Sequence, residues 1–161
     1  MDHPLNPQEF TDALAGFATG VVVVTVRDGR DDIGTTVTAF MSVSVEPPMV
    51  AVAVDAESYL GEVLHRQDHW AATVLSARQR ALAGRFAAQG RPSARLLIAN
   101  EAHHRGPLSG ALIVDGGLTA LECRTRQRVP AGDHVLFLAD VPAIDYISGG
   151  EPLVRVNRRY L

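Results

Sequence analysis

The stretch over residues 34–48, Gly-Thr-Thr-Val-Thr-Ala-Phe-Met-Ser-Val-Ser-Val-Glu-Pro-Pro, constrains the fold of this chain more than any other. It opens as a small, hydroxyl-rich loop, alternates apolar and polar residues from Phe40 to Ser44, and stops at two prolines. Alternation at period two marks a strand with one face buried. The prolines are expected to break its pairing, because neither can donate a ladder hydrogen bond.

Such a strand needs neighbours, and the rest of the sequence provides them. Residues 21–26 are a continuous run rich in valine, read as a strand buried on both faces. Asp28-Gly29 is a hairpin signal, and the strand after it is expected to begin near Ile33 and continue through Phe40, Ser42 and Ser44. Residues 49–54, 70–75, 96–99, 118–127, 134–141 and 153–156 read as further strands, with Gly149-Gly150 turning the last hairpin.

Three short helices interrupt the strands. Asn6 caps the first, with Pro7 at its first position and Glu9 placed to reach back. Phe10, Leu14 and Phe17 share one face of it, and Gly16 or Gly20 can end it. Ser58 is placed to cap a helix carrying Leu60, Val63 and Leu64. Ser76-Ala77-Arg78-Gln79 is a capping box opening a helix with Ala81, Leu82 and Phe86. Residues 89–110, rich in Gly, Pro and His, read as a long loop around the short 96–99 strand. Strands and helices do not alternate regularly. A mainly β chain results, a barrel-like antiparallel core with peripheral helices, as one domain over residues 1–161.

Composition removes several function classes. The chain has no lysine, which excludes a Walker A lysine, a lysine Schiff base and pyridoxal phosphate chemistry of the imine kind. A formal charge of −3 gives no general attraction to nucleic acid or anionic membrane. No apolar run approaches the ~20 residues needed to span a bilayer. The start, Met1-Asp-His-Pro, lacks the features of a signal peptide, and the single cysteine, Cys123, cannot form an internal disulfide. A cytoplasmic protein is expected. No Gly-x-Gly-x-x-Gly lies between a strand and a helix, and no Gly-x-Ser-x-Gly elbow is present. His65 and His69, and the adjacent His103 and His104, lack the companions of a zinc site, so no metal is expected.

Taken with Gly132-Asp133-His134 and the closing Pro152-Leu-Val-Arg-Val-Asn-Arg-Arg-Tyr160, the 34–48 stretch resembles the flavin reductase-like family of FMN-binding split barrels. These are the reductase components of two-component flavin-dependent monooxygenases. The resemblance covers nearly the whole chain. It implies hydride transfer from NADH or NADPH to FMN or FAD, a homodimer, and a monooxygenase that receives the reduced flavin. Related readings are a flavin-dependent oxidase and a non-catalytic flavin- or haem-binding split barrel.

The resemblance also places the site. Thr35, Thr36, Val37, Thr38 and Ala39 offer backbone amides and short hydroxyls to the flavin edge; Thr38-Ala39 stands where the family often has Asn-Ser, leaving the backbone contacts. Val54, Asp55 and Ser58 line the ribityl and phosphate side, and Ser58 can also serve simply as a helix cap. Thr73-Val-Leu-Ser-Ala-Arg-Gln79 resembles the family's Asn-Val-Leu-Ser-x-x-Gln block, followed by Leu82-Ala-Gly-Arg-Phe-Ala87. Within it Leu75, Ser76, Gln79 and Phe86 fall to the flavin, with free amides after Ser76 meeting a phosphate. His134 positions the nicotinamide, and Arg158 and Tyr160 close over that side of the pocket or over the partner subunit.

Overall fold

The computed structural model describes residues 3–161; Met1 and Asp2, the start of the expected domain, lie outside the described residues. In chain order the elements are α1 (Pro7–Leu14), β1 (Thr19–Gly20), β2 (Val22–Asp28), β3 (Asp31–Val37), β4 (Phe40–Val45), β5 (Pro48–Asp55), α2 (Tyr59–Arg66), β6 (His69–Val74), α3 (Arg80–Ala87), α4 (Ala94–Leu97), β7 (His103–Arg105), β8 (Leu112–Val114), β9 (Thr119–Ala131), β10 (His134–Ile147), β11 (Val154–Val156) and β12 (Arg159–Tyr160).

Seven strands form one antiparallel sheet in the order β3-β2-β6-β9-β10-β5-β4. Its two edges are consecutive in sequence: only Thr38 and Ala39 separate β3 from β4. So short a link spans at most about 10 Å. The sheet must therefore curl until its edges meet, giving a barrel split along the seam between β3 and β4.

Inside the barrel Val22, Val24, Val26, Val52, Val54, Trp70 and Phe137 pack with Leu60, Val63 and Leu64 of α2. On the other face of β2, Val21 and Val23 pack with Leu75, Leu82, Phe86, Ile98 and Leu153. That two-sided burial is the physical reason the run 21–26 carries almost no polar residue. The Trp70 indole donates to Thr125 Oγ1 at 3.0 Å, so even the largest core side chain leaves no orphaned donor.

Several expectations fail for identifiable reasons. The strand expected from Ile33 through Ser44 is two strands on opposite edges of the sheet, because the chain crosses the seam at Thr38-Ala39. Pro47 and Pro48 do not end the pairing: Glu46 and Pro47 form the β4–β5 turn, and Pro48 opens β5 opposite Val45. At a strand's first position the missing N–H costs no ladder bond. The short strand expected at 96–99 is the helix α4, with Ala94 and Ile98, four apart, both buried. Gly149-Gly150 does not turn a hairpin, since β11 pairs with β1 and β12 and not with β10. The last hairpin instead turns at Asn157-Arg158, both in the left-handed region at φ 51° and 62°. β7 lies in the 89–110 stretch that reads as loop and pairs with β8 just beyond it.

Candidate functional site

A cleft of about 640 Å³ opens beside the seam. One wall is Asp31 to Thr36 of β3. Asp55, Glu57, Ser58 and Tyr59 form the end of β5 and the start of α2, and the segment from Gln89 to Ser93 completes it.

Each wall is held by local chemistry. Ser58 caps α2, its Oγ accepting from Gly61 N at 3.0 Å and donating to Asp55 O at 2.7 Å. Asp55 Oδ1 accepts from Glu57 N at 2.8 Å. A Cβ on Gly61 would lie 2.7 Å from Asp55 O, so only glycine lets the helix start so close to the strand end. On the opposite wall a Cβ on Gly34 would lie 2.5 Å from the Phe86 ring. Only glycine fits against the Phe86 ring at that position, so the ring packs directly beneath the Gly34 backbone, which is itself buried.

Arg91, which sequence reasoning missed, enters this cleft. Its Nε donates to Gly34 O at 2.8 Å, Nη1 to Ala88 O at 3.2 Å, and Nη2 to Thr35 Oγ1. Burial pushes its guanidinium down from the ordinary arginine value. Among the described residues no carboxylate ion-pairs with it. The contrast with Asp32 is direct: that carboxylate, 2% exposed, is met by Arg105 at 2.8 and 2.9 Å and by Arg95 at 3.2 Å. No short-range motif points to Arg91. Its partner Gly34 lies 57 residues away.

The expected site residues fall into five groups. Thr35, Thr36, Asp55 and Ser58 line the cleft. The Thr36 hydroxyl donates to Ala83 O at 2.7 Å, so its proton is already engaged. Thr38 and Ala39 form the seam crossing, with Ala39 O accepting from Ala53 N at 2.9 Å. The side chains of Val37, Val54, Leu75 and Phe86 are buried in the core, leaving only backbone for a ligand.

Ser76 and Gln79 form the fourth group, outside that cleft. Ser76, Ala77 and Arg78 line a second cleft of about 510 Å³ with Gly116 and Ser148 to Glu151. Residues 77–79 are a single 3₁₀ turn ahead of α3. Of the amides after Ser76, two are engaged, Ala77 N on Glu151 O and Gln79 N on Ser76 O, and Ser76 N itself meets Gln79 Oε1. Gln79 Nε2 donates to Asp115 O at 2.9 Å, tying the turn to the β8–β9 connection. The Ser76 hydroxyl is buried without a partner.

The last group is at the C-terminus and at the start of β10. Arg158 ion-pairs with Asp12 of α1 at 2.6 Å, and Tyr160 lies under the Arg155 guanidinium at 5.2 Å. His134 stands opposite Asp55 on the β5–β10 ladder. Its Nδ1 meets Asp133 Oδ1 at 2.7 Å, and that bond holds the Asp133 carboxyl below its ordinary range. Asp133 thereby fixes the proton on Nδ1, and Nε2, without a protein partner among the described residues, is an acceptor on the neutral ring and a donor on the charged one.

Comparison with known proteins decides the family. A family model described as "Flavin reductase like domain" matches residues 14–161. The chain belongs to the flavin reductase-like family. It is 37% identical over 153 residues to the reductase component of 4-hydroxyphenylacetate 3-monooxygenase of Thermus thermophilus, covering 95% of this chain and 94% of that one. It is 35% identical over 156 residues to an NADH-dependent FMN reductase of Streptomyces nodosus, covering 94% and 82%. The NADH:FAD oxidoreductase of Streptomyces globisporus superposes with a TM-score of 0.90 at 28% identity, over 100% of this chain and 95% of that one. The split barrel is thus the fold of a flavin reductase family.

Among the described residues no group of three or more His, Cys, Asp or Glu is arranged to hold a metal ion, and no helix is long and apolar enough to cross a membrane.

Proposed function

We propose that this chain reduces FMN or FAD with NADH or NADPH and supplies the reduced flavin to a partner monooxygenase. The observation that carries the reading is the cleft where residues 34–36 meet residues 55–58, with His134 beside Asp55, in a chain of this family.

The cleft fits a flavin nucleotide. Its volume lies within the range of small-molecule sites, one wall is the edge strand β3 from Asp31 to Thr36, and Arg91 brings a cation that pairs with no carboxylate among the described residues. Bound flavin supplies the hydride acceptor, and the nicotinamide supplies the hydride. The chain's own residues bind and orient. Backbone groups of residues 34–39 meet the ring edge, and Arg91 takes the phosphate side, with Ser58 shaping the opposite wall by capping α2. The planar guanidinium suits a phosphate because it donates two parallel bonds. His134 Nε2 orients the nicotinamide or offsets charge on the reduced ring. Hydride transfer needs no protein acid or base, which agrees with the role of positioning alone. Cys123 is buried and free, and burial pushes its thiol up, which favours the unreactive protonated form.

The reading includes one domain over residues 1–161, a homodimer, and a cytoplasmic location. Exposed Met41, Val43 and Val45 on the edge strand β4, with Ile144 and Ile147 on β10, support the dimer.

Anaerobic mixing of the purified protein with FMN or FAD and NADH or NADPH tests the function. Loss of the oxidised-flavin absorbance within seconds is expected. Flavin binding without reduction by either nicotinamide would overturn the reductase and leave a binding protein.

A further inference from the structure

Helix α1 is built well and buries nothing. Asn6 caps it through Oδ1 to Gln8 N at 2.8 Å, and Glu9 Oε2 accepts from Asn6 N at 3.1 Å. Its polar side holds it to its own chain: Arg158 pairs with Asp12 at 2.6 Å, and Asn157 N donates to Ala15 O at 2.7 Å just beyond the helix. Its apolar side has no such role. Leu5, Phe10, Leu14 and Phe17 are 51–74% exposed, and no residue of the helix is buried. Chance exposure of single apolar residues is ordinary, but four on and around one short helix are not.

A second apolar stretch lies elsewhere on the same chain. Met41, Val43 and Val45 are exposed on β4, which is an edge strand. β10 runs on beyond the β4–β5 turn, its pairing with β5 ending at Asp140, and carries exposed Ile144 and Ile147. Together the two stretches hold nine large apolar residues, each 42–87% exposed, on the order of 1,000 Å² per chain, against the ~800 Å² per partner that a standard interface buries. Neither stretch alone reaches that size.

Resting on the dimer reading above, we infer that α1 is an exchanged arm: its apolar face covers β4 and the far half of β10 in a second copy of this chain. The contact is heterologous in its parts and closed by a two-fold axis, so each dimer contains it twice. Because β4 starts directly after Thr38-Ala39, the partner's arm lies beside the seam crossing. The charged side of α1 stays outward, where Arg158 sets the angle at which the arm leaves its own barrel.

Three proteins test this: wild type, an arm variant (Phe10→Glu with Leu14→Glu), and a sheet variant (Met41→Glu with Val45→Glu). Sedimentation gives the oligomeric state, with 17.3 kDa for the monomer. Each variant is expected to raise the dimer dissociation constant about 100-fold or more, as loss of central anchors does. Circular dichroism and the thermal transition at low concentration keep their wild-type values, since no altered side chain is buried within the chain. An equimolar mixture of the two variants is expected to recover dimer, because one arm and one sheet are intact in the mixed pair and meet each other. A wild-type monomer at micromolar concentration would remove the dimer reading and the arm with it. A wild-type dimer that survives the arm variant would leave the dimer and overturn the arm. Two monomeric variants that fail to complement would mean arm packs on arm and sheet on sheet, which also overturns it. Dimers that form only with a monooxygenase present would assign the face to that partner instead.

Discussion

α1 and α2 are helices of equal length with opposite fates. Each spans eight residues, each is capped by a polar side chain at its N-terminus, and each has an apolar side. α2 buries Leu60, Gly61, Val63 and Leu64; α1 buries no residue. What separates them is the chain around them. α2 follows β5 with only three residues between, so it must cover the barrel end where that strand finishes. α1 precedes the first strand of the barrel and is held to its own chain by polar contacts at Asp12 and Ala15. Amphipathicity states that a helix will be covered. It does not state by what.

The largest expected effect tests that contrast directly. Leu64 is fully buried, and Leu64→Ala is expected to cost about 2–5 kcal/mol in urea unfolding. Leu14→Ala is expected to change stability by less than about 0.5 kcal/mol in dilute protein, and to act only through the concentration dependence of the transition. Equal losses from the two would mean that α1 packs on its own barrel.

The same division separates the ligand side from the C-terminal side. Arg91→Gln is expected to raise the flavin dissociation constant about 10–100-fold, the range for losing charge-assisted hydrogen bonds. Arg158→Gln is expected to leave it unchanged, because that guanidinium is engaged by Asp12. Titration by flavin fluorescence distinguishes them, and the reverse order would move the phosphate to the C-terminal hairpin. His134→Ala is expected to slow anaerobic flavin reduction by about 5–150-fold with oxidised-flavin affinity nearly intact, the pattern of an interaction made in the transition state. In the same variant the Asp133 carboxyl rises toward its ordinary value, which NMR reads without any cofactor. Unchanged stopped-flow rates would return His134 to a structural role.

Smaller effects sharpen the comparison. Ser58→Ala is expected to cost about 1 kcal/mol, and Asn6→Ala to fray α1 without shifting global unfolding. At the acid end, Asp28 and Asp12 are both held below the ordinary carboxylate range, by hydrogen bonds from Arg66 and Arg158 respectively. A lowered carboxyl contributes stability above its unfolded value, which is lost as pH falls through the folded one. Asp28 ties α2 to the β2–β3 hairpin, so Asp28→Asn is expected to flatten the stability profile below about pH 4. Asp12→Asn is expected to flatten the same limb less, because the Asp12–Arg158 pair is the more exposed of the two. Thermal melts across pH 2–6 separate the two.

Much of the site was legible because it rests on short-range chemistry. Ser58 as a cap and the Asp28-Gly29 turn follow from residues within four positions of one another, whereas Thr35 and Thr36, which line the cleft, were placed by the family resemblance. Ser76 shows the limit. Its spacing to Gln79 reads as a helix start with free amides, yet Glu151, 75 positions away in this numbering, takes the Ala77 N–H. Nothing in the local pattern reports that. Arg91 fails in the opposite direction, since a lone arginine in a glycine- and proline-rich segment looks like solvated loop until the fold sets it against Gly34 and Thr35.

The sequence by itself determined the two-sided burial of residues 21–26, the capped starts of α1 and α2, the absence of lysine chemistry, and the family through its spaced motifs. These depend on composition and on intervals of a few residues, where the chain's own geometry limits what each residue can meet. Only the tertiary structure decided that the 34–48 stretch is cut in two by a seam, that Ser76 and Ser58 face different clefts, that Arg91 is the cation beside the candidate flavin wall, and that α1 is left uncovered. Those outcomes rest on contacts between distant segments, and a curled sheet brings such segments together by closing on itself, which no short stretch of sequence encodes alone.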